Sequence, residues 1–142
     1  YGQLAKYETE DQISFAKYMS KFSYIDKDRI GIWGWSYGGL ISTNCILKGS
    51  DIFSLAIAVA PVTNWRFYDT IYTERFMGLP EDNKEGYDLN SPLNYAHLLE
   101  AMDKYPVIID ENKIMLNKFR LSFFMKFFHF ISNFVIRNIM TF

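Results

Sequence analysis

Gly34-Trp35-Ser36-Tyr37-Gly38 is a G-x-S-x-G segment. This spacing suits a serine nucleophile carried on a tight strand-to-helix turn, where the hydroxyl projects from the edge of a sheet. Such a turn strains the backbone and brings strand and helix together, so the flanking positions are expected to need glycine. The serine then lies beside a helix N-terminus, whose N–H groups favour developing negative charge. Ser36 is the expected nucleophile. The backbone N–H of Tyr37, the next residue, is the expected first donor to an oxyanion.

A serine hydroxyl needs a base to take its proton. On the fold that carries this motif, the chain order is serine, then acid, then histidine. The sequence has two histidines, His97 and His129, and neither lies in a His-Gly or Asp-x-x-His context. Both read as surface or packing histidines. Asp110 closes a third expected strand, where a triad acid would belong topologically, but the favoured reading is an exposed strand-end carboxylate. The residues thus offer a nucleophile without a convincing partner.

The elements that must position Ser36 follow from periodicity. Residues 9–22 are expected to form a helix, started by Thr9 or Glu10, with acids in its first turn. Residues 24–28 form a polar turn. Arg29–Trp33 is a short apolar run that suits a buried strand, Leu40–Leu47 a helix ending at Gly49, and Leu55–Ala60 a second buried strand closed by Pro61. Strand, helix and strand with short connections make a βαβ unit and a parallel sheet. Residues 61–90 read as irregular and aromatic, with Glu81–Glu85 in an exposed loop. Ser91 and Pro92 are expected to cap and open a short helix through Leu99. Tyr105–Ile109 is the third expected strand.

Composition adds limits. The 142 residues include 15 Lys+Arg and 16 Asp+Glu, for a net charge of −1. A near-neutral balance argues against a dedicated nucleic-acid binder. A single cysteine, Cys45, excludes an intramolecular disulfide and a cysteine-rich metal site. The balance is uneven: residues 1–112 hold 10 basic and 16 acidic residues, and residues 113–142 hold five basic residues, no acid and eight of the 13 Phe. The opening residues do not read as a signal peptide. Tyr1 in place of Met reads as an internal position of a longer protein.

The segment Asp28–Gly39, DRIGIWGWSYGG, resembles the catalytic domain of the prolyl oligopeptidase family, and most of all its dipeptidyl peptidase IV branch, where Trp precedes the nucleophile. Tyr7–Ile13 upstream, and Ala56–Trp65 and Tyr68–Pro80 downstream, are similar to the same branch, so the resemblance covers residues 5–100. It implies an α/β-hydrolase fold, a peptide substrate, no cofactor and no metal, and it leaves a homodimer open for the intact protein. Residue by residue, Ser36 matches the acyl-forming nucleophile. Tyr37 matches the residue that supplies the oxyanion N–H and whose ring borders the S1 pocket. Val62, Trp65, Tyr68 and Tyr72 match the walls of that pocket, which accepts proline or alanine. An aromatic surface beside a nucleophile is physically suited to a flat proline ring. The sequence departs from the family after Ile109, where neither Gly-Thr-x-Asp nor Asp-x-x-His-Gly follows. The family's β-propeller and the tyrosine that gives the second oxyanion donor are not in these residues either.

In residues 113–142, Ser122, Lys126, His129, Asn133 and Arg137 recur at helical spacing, as do Phe119, Phe123, Phe127, Phe130 and Phe134. The pattern allows a helix lying on an anionic membrane. The charges at Lys118, Arg120, Lys126 and Arg137 interrupt any span of the membrane. The preferred reading is a tail translated out of register, with a divergent terminus as the next. The expectation is therefore a partial peptidase catalytic domain over residues 1–104 and a divergent or out-of-frame tail over 105–142. As a truncated chain it should be nearly inactive. The alternatives are an esterase or acylaminoacyl-peptidase relative and a non-catalytic pseudo-peptidase. Nothing in the sequence assigns a compartment.

Overall fold

The computed structural model describes residues 1–101 and 107–110. Three strands, β1 (Gly31–Trp35), β2 (Leu55–Val59) and β3 (Val107–Asp110), form a parallel sheet in that order. Helix α1 spans Lys6–Met19, α2 Tyr37–Lys48, α3 Thr70–Met77 and α4 Lys84–Leu89. Single 3-10 turns occur at Lys27–Arg29 and Trp65–Phe67, and a longer 3-10 segment runs over Pro92–Ala101. The expected βαβ unit is β1–α2–β2, in the register Gly31↔Leu55 through Trp35↔Val59. The third strand lies at 107–110, two residues later at its start than expected. The rest of the tail, including His129, lies outside the described residues.

α2 packs against β1, β2, α1 and the 3-10 segment Pro92–Ala101. Its Leu40, Ile41, Cys45, Ile46 and Leu47 are buried with Phe53, Ala56, Val62, Trp65, Met77 and Tyr87 in one core. Each large aliphatic side chain buried here contributes about 1.5–3 kcal/mol. The Cys45 thiol is buried, and that burial pushes its pKa up to about 12. Iodoacetamide should therefore leave Cys45 unmodified in the folded protein and alkylate it only after denaturation, read by intact mass.

Local bonding moves several boundaries away from the expected ones. α1 starts three residues before Thr9, because Ala5, at φ 73°, is its N-terminal flank. Thr9 is buried within the first turn and its hydroxyl donates back to Ala5 O, so it is no cap. Arg29 belongs to a turn rather than to β1: the Asp26 carboxylate accepts from Asp28 N–H at 3.1 Å and pairs with the Arg29 guanidinium. β1 is shifted two residues on and runs to the edge of the motif. It is not buried on both sides among the described residues. Ile32 and Gly34 face α2, while Trp33 and Trp35 are 71% and 69% exposed.

The segment expected to be irregular contains two helices. The Asp69 side chain caps α3 by accepting from Tyr72 N–H at 2.8 Å, and Asn83 caps α4 by accepting from Gly86 N–H at 3.1 Å. Ser91 is no helix cap. Its buried hydroxyl donates to Tyr87 O at 2.6 Å and accepts from Trp65 N–H at 3.1 Å, which ties the aromatic loop to the end of α4.

Candidate active site

β1 runs into α2 through Ser36, with no residue to spare. Ser36 has φ 55° and ψ −113°, a positive-φ conformation that an L side chain rarely adopts. Two bonds hold it there. Its N–H donates to Val59 O at 2.8 Å, and its carbonyl accepts from Leu40 N–H at 3.0 Å in the first turn of α2. The side chain is exposed and makes no capping bond to α2.

The two glycines of the pentapeptide differ in what they do. A Cβ on Gly34 would sit 2.2 Å from Gly38 O and 2.3 Å from Gly38 C, so strand and helix touch through backbone at this point. A Cβ on Gly38 would meet nothing within 4 Å among the described residues. The third glycine, Gly39, faces β2: a Cβ there would lie 3.0 Å from Val59 O. The requirement for glycine on both sides of the serine thus holds at Gly34 and passes from Gly38 to Gly39.

Tyr37 opens α2. Its ring lies 6.0 Å from the ring of Trp65. Trp65 in turn stacks on Tyr72 at 6.2 Å and 18° and meets Tyr68 edge-on at 6.1 Å, and Tyr68 meets Tyr72 edge-on at 5.6 Å. The structure therefore brings Tyr37, Trp65, Tyr68 and Tyr72 into one aromatic cluster, beginning at the residue that follows Ser36. Val62 is buried in the core that this cluster continues. Trp65 is 1% exposed, and its indole N–H has no hydrogen-bond partner among the described residues. The loop that carries Trp65 is pinned by Asn64, whose side chain accepts from Arg66 N–H at 2.9 Å, and by an Arg66–Asp88 ion pair at 2.7 Å. Tyr68 and Tyr72 are partly open to solvent, the first before the α3 cap and the second in its first turn.

The candidate acid and base are less closely drawn in. Asp110 ends β3 opposite Val59, whose other neighbour is Trp35. Its backbone is thus two strands from the end of β1, about 10 Å at the usual strand spacing. His97 is exposed on the 3-10 segment and makes no hydrogen bond to Ser36. Among the described residues no group of three His, Cys, Asp or Glu could hold a metal ion, and no helix is long and apolar enough to cross a membrane.

One contact has no counterpart in the sequence pattern. The Tyr37 O–H donates to Glu8 Oε1 at 2.6 Å, and Ala5 N–H donates to the Tyr37 hydroxyl oxygen at 2.8 Å. Residues 29 and 32 positions apart carry it, so no local pattern could have signalled it.

Comparison with known proteins gives this geometry a family. The model of the prolyl oligopeptidase family matches residues 1–116. The chain is 44% identical over 125 residues to a probable dipeptidyl-aminopeptidase B of Metarhizium robertsii, which covers 84% of the chain and 13% of that protein. It is 48% identical over 102 residues to a probable dipeptidyl-aminopeptidase B of Coccidioides posadasii, covering 71% of the chain and 11% of that protein. The chain therefore spans only about an eighth of the length of these curated relatives. The crystal structure of Porphyromonas gingivalis dipeptidyl peptidase 4 superposes with a TM-score of 0.71 at 32% identity, over 94% of the chain and 23% of that structure. The strained serine turn, the parallel sheet and these matches agree: the chain is part of an α/β-hydrolase fold and belongs to the prolyl oligopeptidase family of peptidases.

Proposed function

We propose that Ser36 is the nucleophile of a serine peptidase that, in the intact protein, cleaves peptides after proline or alanine in the manner of dipeptidyl peptidase IV. The observation that carries this reading is the Ser36 backbone at φ 55° and ψ −113°. A strained residue persists only where the surrounding fold enforces it, and such strain gathers at reacting groups. Ser36 Oγ attacks the scissile carbonyl carbon and loses its proton to a base. The carbonyl oxygen takes up negative charge beside the Tyr37 N–H, the bond to the leaving amine breaks as the amine is protonated, and water then hydrolyses the acyl-serine. Val62, Trp65, Tyr68, Tyr72 and the Tyr37 ring supply an apolar wall for the residue before the scissile bond. A proline ring offers that wall a flat face and no N–H to satisfy.

The 142 residues alone should turn over little substrate. Ser36 Oγ bonds to no described residue, and removal of a base takes away most of the rate.

The test uses the intact protein, a fluorophosphonate label and chromogenic substrates. The adduct should map to Ser36, and X-Pro and X-Ala dipeptide substrates should outrun short acyl esters. An adduct on another serine would overturn the nucleophile assignment. A preference for short acyl esters would overturn the proline assignment in favour of an esterase or acylaminoacyl-peptidase relative. Full activity of the 142-residue chain would refute the inactivity proposed for it.

A further inference from the structure

The Tyr37 side chain does two things at once. Its ring stands against Trp65, and its hydroxyl reaches away from the cluster to the N-terminus of α1. Ala5, the residue flanking that helix, has no side-chain cap, and its N–H is satisfied by the Tyr37 hydroxyl instead. A hydroxyl that accepts from Ala5 has one proton left to give, and that proton goes to Glu8. Glu8 stands in the first turn of α1, where the helix field favours an acid. Burial first, and the Glu8 hydrogen bond next, push the Tyr37 phenol well above its ordinary pKa, so it remains a donor across the working range of pH.

From this geometry we infer that Glu8 is a positioning residue, which fixes the Tyr37 ring as a wall of the substrate pocket by holding its hydroxyl against α1. The inference rests on the serine-peptidase reading above. The backbone N–H of Tyr37 is set separately, by the serine turn and by α2. Loss of Glu8 therefore leaves the oxyanion donor in place and frees the ring. The pocket loses definition while the chemistry persists, so KM moves and kcat does not.

In the intact protein, Glu8→Ala should raise KM for an X-Pro substrate about fivefold to tenfold, with kcat changed less than about twofold. Glu8→Gln keeps an oxygen acceptor and should hold KM within about twofold of wild type. Tyr37→Phe should reproduce the KM rise, and Glu8→Ala added to it should change nothing more. An unchanged KM in Glu8→Ala would overturn the inference, as would a Gln variant no better than Ala, or single effects that add in full. If Glu8→Ala fails to fold, Glu8→Gln and Tyr37→Phe carry the same test. These outcomes arise in a protein whose wild type turns over X-Pro substrate. A wild type that does not would overturn the peptidase reading and this inference together.

Discussion

Ser36→Ala should lower kcat/KM on an X-Pro substrate by roughly a millionfold, since the acyl-enzyme route is lost with the hydroxyl. Its stability should stay near that of wild type, because the strained backbone is common to both residues and the side chain makes no capping bond to α2. Ser36→Gly should be just as inactive but more stable. At φ 55° and ψ −113° an L side chain costs about 1–3 kcal/mol. Glycine accepts that conformation freely and gives back about 0.5–1 kcal/mol in chain entropy. The net gain is about 1 kcal/mol, visible as a higher unfolding midpoint of the intact protein. The pair separates two roles that one substitution confuses. An inactive Gly variant that is also more stable means that the fold pays for a reactive serine. A Gly variant less stable than wild type would mean that the turn is not strained.

How much of this was open to the sequence depends on how far apart the interacting residues are. The β1–α2–β2 unit was legible because its signals are local: two apolar runs, a glycine-bounded serine between them, and Gly49 and Pro61 as stops. The aromatic cluster was reached through the resemblance, since Trp65, Tyr68 and Tyr72 sit just beyond β2 in the order the family shows. α3 does not show in the sequence pattern because Thr70, Ile71, Tyr72 and Thr73 are weak helix formers. The signals that mark the helix are at its ends, the Asp69 cap and Gly78 after its last turn. The exposure of Trp33 departs from the buried strand expected over Arg29–Trp33 for a different reason. A continuous apolar run has the same appearance whether one face of a strand is covered or both. Ser91 looked like a cap from its Pro92 neighbour, yet its hydroxyl serves Tyr87 and Trp65, the latter 26 residues away. Asp110 could be placed on its strand and no further.

The glycines on either side of Ser36 should respond to alanine in opposite ways. At Gly34 the new Cβ would lie 2.2 Å from a carbonyl oxygen and 2.3 Å from a carbonyl carbon, both backbone atoms of Gly38. No rotamer change relieves such an overlap; β1 and α2 must separate. That separation pulls Ser36 N–H from Val59 O, the 2.8 Å bond that ties the serine turn to β2. Gly34→Ala should therefore cost about 3 kcal/mol of stability, at the upper end for overpacking. A misplacement of the nucleophile by an ångström should lower kcat/KM about 100-fold or more. At Gly38 the added methyl meets no described atom within 4 Å, and φ is not positive. Gly38→Ala should leave stability unchanged, or raise it by up to about 1 kcal/mol through better helix propensity. Denaturant unfolding of the two variants in the intact protein, with kcat/KM on one X-Pro substrate, decides the matter. A Gly34→Ala protein as stable and active as wild type would show that strand and helix are not in backbone contact. Equal damage at both positions would mean that Gly38 is needed for a neighbour beyond residues 1–101 and 107–110.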